Sequence, residues 1–162
     1  MPKYSTVATG GTFDHIHAGH KRLLQKSFES GDRVIIGLTS DDFVTKLGKK
    51  PDYDYEKRES ELRKYLEKTY SGRRYVIAKL NDYFGPGIAS KEVEALVASP
   101  ETASRLELAN EMRRRSGFRP LDLVVVDWIR AEDGSPISST KIRRGEIDEE
   151  GRLKRSNSRA IP

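Results

Sequence analysis

The 162-residue chain has no cysteine, so it can hold no disulfide framework, no Cys-ligated zinc or iron–sulfur site and no thiol nucleophile. Any catalysis must come from His, Lys, Arg, hydroxyls or carboxylates. Long apolar runs are missing too. Runs such as Val34-Ile35-Ile36 and Val124-Val125-Val126 fall far short of the roughly 20 residues that cross a bilayer, which excludes a transmembrane helix. The start, Met1-Pro2-Lys3-Tyr4, runs into a candidate strand with no charged-then-apolar leader, so a cytoplasmic location is expected. Internal repeats are absent, and no aromatic-rich RNA-binding motif accompanies the single tryptophan, Trp128.

Charge is plentiful but nearly balanced, with a net +5 from 30 Lys plus Arg and 25 Asp plus Glu. A positive balance fits either a nucleic-acid surface or a site for a polyanionic small molecule. Interspersion favours the second. Acidic residues break up most basic stretches, as in Glu56-Lys57-Arg58-Glu59, which reads as a solvated helix face. Only Arg113-Arg114-Arg115 and the tail from Arg152 to Arg159 are basic without compensation. No nucleic-acid or membrane partner is expected.

Four β-rich runs stand out, Tyr4 to Thr9, Arg33 to Thr39, Tyr75 to Leu80 and Leu121 to Asp127, with a weaker one at Val93 to Ala98. Helical patterns cover His17 to Ser30, Glu56 to Tyr70 and Thr102 to Ser116, while Gly31-Asp32, Ser71-Gly72 and Ser116-Gly117 read as helix stops or turns. Near-continuous apolar strands imply burial on both faces, as when helices cover a parallel sheet. The expected fold is therefore α/β, a single doubly wound, Rossmann-like parallel sheet spanning residues 1–152, followed by a polar, basic tail at 153–162. Such sheets bind ligands beyond the carboxyl ends of their strands.

The segment Thr9-Gly10-Gly11-Thr12-Phe13-Asp14-His15-Ile16-His17-Ala18-Gly19-His20 links the first strand to the first helix. Glycines allow close backbone approach, and a helix N-terminus offers unpaired N–H groups to an anion. His17 and His20 are three apart and share a helix face. The turn reads either as a phosphate site or as an ordinary turn with capping histidines. Zinc is disfavoured, since Asp14 is the only nearby carboxylate and is read as structural. Near the other end, Ser138-Ser139-Thr140 follows the turn Asp133-Gly134-Ser135-Pro136 and precedes Arg143-Arg144-Gly145. It reads as a hydroxyl-rich N-cap able to hold outer phosphates, with Arg143 forking onto them, or as plain capping.

Together, Gly11-Thr12-Phe13-Asp14 with His17-Ala18-Gly19-His20 resembles the GTFD…HxGH signature of the nucleotidyltransferase superfamily that shares its fold with class I aminoacyl-tRNA synthetases. Ile137-Ser138-Ser139-Thr140-Lys141-Ile142-Arg143 resembles that superfamily's second signature, ISSTxIR. Within it the chain is most similar to the archaeal and eukaryotic type of phosphopantetheine adenylyltransferase, from about Tyr4 to Glu150. The likeness extends to Leu38 through Phe43, Asn81 through Gly87, and Val97 through Thr102 with Asn110 and Arg113.

The resemblance implies adenylyl transfer from ATP to 4′-phosphopantetheine, giving dephospho-coenzyme A and pyrophosphate, with Mg2+ accompanying ATP. It implies that His20 stabilises the α-phosphate, that His17 assists, and that Thr12 with the Gly11 and Phe13 backbone orients the attacking phosphate. A lysine after the second strand, Lys46 or Lys49, would hold that phosphate, with Asp82 and Tyr83 near the same substrate. Ser138, Ser139, Thr140 and Arg143 would hold the β- and γ-phosphates, while Asn110 and Arg113 would approach the nucleotide. Unlike the usual bacterial form, which reads GTFDP with TxGH and carries RGLR, this chain has His15, His17 and Ser99-Pro100-Glu101-Thr102 at those places. Rival readings are a relative acting on FMN, nicotinamide mononucleotide or, with CTP, a phosphorylated alcohol, and a basic RNA-docking module. A monomer is expected.

Overall fold

In a computed structural model, residues 3–83 and 85–127 are described. In chain order the elements are β1 (Tyr4–Gly11), α1 (Ala18–Ser30), β2 (Gly31–Thr39), α2 (Asp41–Lys46), α3 (Tyr55–Thr69), β3 (Arg74–Leu80), α4 (Pro86–Ala89), β4 (Ala95–Ala98), α5 (Pro100–Ala103), α6 (Leu106–Arg115) and β5 (Asp122–Val125). The strands form one sheet in the order β3-β2-β1-β4-β5, and every neighbouring pair is parallel. Winding runs outward from β1 to β3, then returns to β4 on the other side of β1. That reversal makes the fold doubly wound and places the crevice beside β1.

Alternation along the strands divides the core in two. Val7, Val34, Ile36, Leu38, Ala95 and Val97 face the layer that includes Leu24 and Phe28 of α1 and Leu62 and Leu66 of α3. Ala8, Ile35, Leu96 and Ala98 face the other side, toward Ile88 and Leu106. With a side-chain period of two, both registers must be apolar when both faces are covered. The second face is built from smaller residues, and this leaves room. A Cβ at Gly37 would come within 2.6 Å of Leu80, so the strand carries glycine there.

Two expectations shift. Gly31 does end α1, but it and Asp32 begin β2 directly rather than making a turn. Glycine suits this junction because a Cβ would stand 2.9 Å from Val7. The run from Thr102 to Ser116 is not one helix. It divides into α5 and α6, where the Arg105 N–H bonds the Thr102 carbonyl in a tight three-residue turn. The weak strand at Val93 to Ala98 is β4, all four of whose residues are buried between β1 and β5. The short helices α2 and α4 carried too little periodicity to be read. Ser71-Gly72 and Ser116-Gly117 are turns, with Gly72 and Gly117 at φ of 83° and 78°. The tail at 153–162 and the Ser138 to Arg143 segment lie outside the described residues.

Candidate active site

Between β1 and α1 the chain makes a tight turn in which Phe13 and His15 both adopt the left-handed region, at φ of 51° and 53°. That conformation costs a side-chain-bearing residue on the order of 1–3 kcal/mol and needs its surroundings to hold it. Here they do. The Phe13 side chain is buried, and the fully buried Asp14 accepts N–H bonds from Asp52 (3.0 Å) and Tyr53 (3.1 Å). His15 Nε2 meets the Asp52 carboxylate at 2.6 Å.

The head of α1 is closed by a capping box made of two imidazoles. His17 Nδ1 accepts from the backbone N–H of Gly19 (3.1 Å) and His20 (3.4 Å), while His20 Nδ1 accepts from the His17 N–H (3.3 Å). An Nδ1 that accepts cannot carry the proton, so these bonds assign both rings the Nε2–H tautomer, neutral and able to donate. The rings stack with centroids 3.8 Å apart. Burial is the largest cause holding the His20 pKa well below 6.5, followed by repulsion from His17; a backbone hydrogen bond with His15 acts the other way, and Lys49 lowers it further. A neutral imidazole at a helix N-terminus donates to developing phosphoryl charge without first losing a proton.

Beside this turn a cleft opens at the carboxyl end of the sheet. Gly11, Thr12, Thr39 and Lys49 line it, with Thr102 and Arg105 as further polar groups, and Ile35, Ala78, Leu80, Leu96, Phe43 and Ile88 supply apolar walls. Phe13, His17 and His20 are not among the lining residues; Phe13 follows the lining Gly11 and Thr12 with its ring 4.9 Å from that of His20, and the charge of the lining Lys49 acts on His20. Thr39 Oγ1 donates to Thr12 Oγ1 at 3.1 Å, joining the ends of β1 and β2. Of the two candidate lysines, Lys49 lines the cleft, whereas Lys46 sits in the last turn of α2 and is not among the lining residues. Tyr83 lines it too, packed edge-on against Phe43 and covered by Arg105 at 4.1 Å, while Asp82 is exposed and not among the lining residues.

The fourth crossover differs from expectation. The buried Arg113 guanidinium spends its hydrogen bonds on the carbonyls of Arg119, Ile88, Ser90 and Val93, at 2.7 to 3.0 Å. Asn110 is likewise committed, exchanging two bonds with the Leu121 backbone. Both tie α6 to the approach of β4 and β5, and neither lines the cleft. Ser138, Ser139, Thr140 and Arg143 lie outside the described residues.

Sequence reasoning also missed Arg58, which is fully buried rather than part of a solvated face. Its guanidinium donates to the carbonyls of Tyr53 (3.1 Å), Thr12 (3.0 Å) and Thr39 (2.8 Å) and to Asp41 (2.9 Å). A signal existed. Arg58 stands four residues before Leu62 and eight before Leu66, on the buried stripe of α3.

Asp14, His15 and Asp52 bring three potential metal ligands within 4.8 Å of one another. The backbone donors on both Asp14 oxygens and the His15–Asp52 bond already use these groups. Among the described residues the cleft is lined by no carboxylate.

A family model described as cytidylyltransferase-like matches residues 8–145. The chain belongs to that family. It is 42% identical over 149 residues to the phosphopantetheine adenylyltransferase of Methanopyrus kandleri, covering 92% of this chain and 94% of the relative. It is 43% identical over 160 residues to that of Methanosarcina acetivorans, covering 97% and 99%. Among solved structures, a protein of unknown function from Archaeoglobus fulgidus superimposes with a TM-score of 0.68 at 31% identity, over 75% of this chain and 89% of that one. No helix among the described residues is long and apolar enough to cross a membrane.

Proposed function

We propose that the chain is an adenylyltransferase that moves AMP from ATP to 4′-phosphopantetheine, releasing pyrophosphate and forming dephospho-coenzyme A. The observation that carries this reading is the imidazole capping box at the head of α1, following a β1 end whose Gly11 and Thr12 line a cleft with Lys49 and with apolar walls from Ile35, Leu80 and Leu96. A phosphate bearing a long, weakly polar arm suits a cleft that offers both a cation and apolar surface. The kinship to proteins named phosphopantetheine adenylyltransferase supports the substrate.

The acceptor phosphate is already an anionic nucleophile. Its oxygen bonds to the α-phosphorus as the bond to the bridging oxygen breaks, so no general base is required and catalysis reduces to alignment and charge stabilisation. In this reading Lys49 grips the attacking phosphate, and Thr12 with the Gly11 and Phe13 amides aligns it. His20, with His17 beside it, donates to the α-phosphoryl oxygens. Ser138, Ser139, Thr140 and Arg143 hold the leaving pyrophosphate, and Mg2+ arrives with ATP. In this reading a monomer carries out the reaction in the cytoplasm, on small molecules alone.

The test is pyrophosphate release with ATP and magnesium, offering 4′-phosphopantetheine, FMN, nicotinamide mononucleotide and glycerol 3-phosphate separately, with CTP in parallel. Release only with ATP and phosphopantetheine, with dephospho-coenzyme A seen by mass, is expected. Release with another pair, or with none, overturns the substrate assignment. His20→Ala should lower kcat by roughly a hundred- to a thousand-fold, the scale for one preorganised donor.

A further inference from the structure

Lys49 lies in the span between α2 and α3, which is held at both ends. On one side, its N–H bonds the Val44 carbonyl at 3.1 Å, wrapping the end of α2, and Gly48 before it takes φ of 76°. On the other side, Lys50 and Pro51 lead to Asp52, with proline restricting the backbone between. Asp52 and Tyr53 are gripped by the histidine turn itself. Asp14 takes both their N–H groups, His15 takes the Asp52 carboxylate, and the His15 and Tyr53 rings lie 5.0 Å apart. The residues just before the catalytic histidines therefore hold the far end of the lysine span.

Resting on the functional reading above, we propose that Asp14 and His15 are positioning residues for Lys49, fixing through Asp52 and Tyr53 where its ammonium meets the attacking phosphate. Asp14 suits this task because a buried carboxylate with two N–H donors has one geometry. His15 suits it because its left-handed backbone turns the ring outward onto the adjoining loop. A side chain displaced by about 1 Å at a reacting group costs on the order of 100-fold in rate, so a tether three residues away governs the lysine's contribution.

The experiment is a double-mutant cycle with Asp14→Asn, His15→Gln and Lys49→Met, made singly and as the two pairs with Lys49→Met, with a melting curve for each protein. The single changes at Asp14 and His15 should raise KM for phosphopantetheine on the order of 10- to 100-fold while leaving KM for ATP within about threefold. In the Lys49→Met background either change should add less than about threefold, because the group through which it acts is gone. Multiplying effects, equal rises in both KM values, or a Lys49→Met enzyme with normal KM would each overturn the positioning role. His15→Gln leaves the buried carboxylate untouched, so it decides the matter if Asp14→Asn does not fold. A wild-type protein inactive with phosphopantetheine would instead refute the functional reading.

Discussion

Replacing Arg58 with methionine keeps much of the side chain's volume and removes its hydrogen bonds, so the cost can be worked from its partners. The Thr39 carbonyl sits in the buried end of β2 and loses its 2.8 Å donor. The carbonyls of Thr12 and Tyr53 lose donors at 3.0 and 3.1 Å, but both residues are only half-buried and water can reach them in part. Asp41 is 56% exposed and returns to solvent at little cost. An orphaned buried acceptor costs about 1–3 kcal/mol, so one full and two partial losses come to about 3–5 kcal/mol. Sparing the guanidinium its desolvation offsets some of this, leaving about 2–4 kcal/mol. For a chain of this size that lowers the melting temperature by about 5–15 °C. Circular dichroism melts of wild type, Arg58→Met and Arg58→Lys measure it. Lysine keeps the charge and loses the fork, so it should recover only part of the loss. A methionine variant that melts within about 2 °C of wild type refutes the view that Arg58 holds the ends of β1 and β2 together.

Arg113→Met should destabilise by a similar amount, about 2–4 kcal/mol, because four backbone acceptors lose their donor. Its KM for ATP, measured well below the melting point, should stay within about twofold of wild type; a rise of tenfold would return Arg113 to the nucleotide site. For His20, the folded pKa lies below the ordinary 6.5 of the unfolded chain, with burial as the first cause. Above pH 6.5 neither state binds a proton there. As pH falls below 6.5 the unfolded chain takes up a proton that the folded ring resists, so stability declines toward the depressed folded value. Urea midpoints at pH 7 and pH 5.5 should therefore fall further for wild type than for His20→Gln, and a ring found protonated by NMR at pH 7 would contradict the assigned tautomer.

The parts of this molecule legible in its sequence are those governed by a repeating rule, and the parts that were not depend on where one side chain ends. The near-continuous apolar run from Val34 to Leu38 announces a strand covered on both faces, and β2 supplies Val34, Ile36 and Leu38 to one layer and Ile35 to the other. The two histidines do stack, though not as neighbours on a helix face: His17 is the extended N-cap of α1, and the capping box brings its ring onto that of His20. Arginine obeys no such rule. Its long stem lets it lie in water, on a ligand or beneath the backbone, and Arg58 and Arg113 both take the third course, each collecting carbonyls from three or more segments. Charge patterning reads Arg58 as part of a solvated face and Arg113 as part of an uncompensated basic run, and the family resemblance reads Arg113 as a nucleotide contact. What distinguishes them is helical phase. Arg58 falls in line with Leu62 and Leu66, and Arg113 lies four residues after the buried Ala109. A cation on the apolar stripe of an amphipathic helix has to find acceptors inside the protein, and strand ends and loop carbonyls are the unpaired acceptors available there. Arg58 thereby braces the carboxyl ends of β1 and β2 beside the cleft, and Arg113 the opposite, entering ends of β4 and β5.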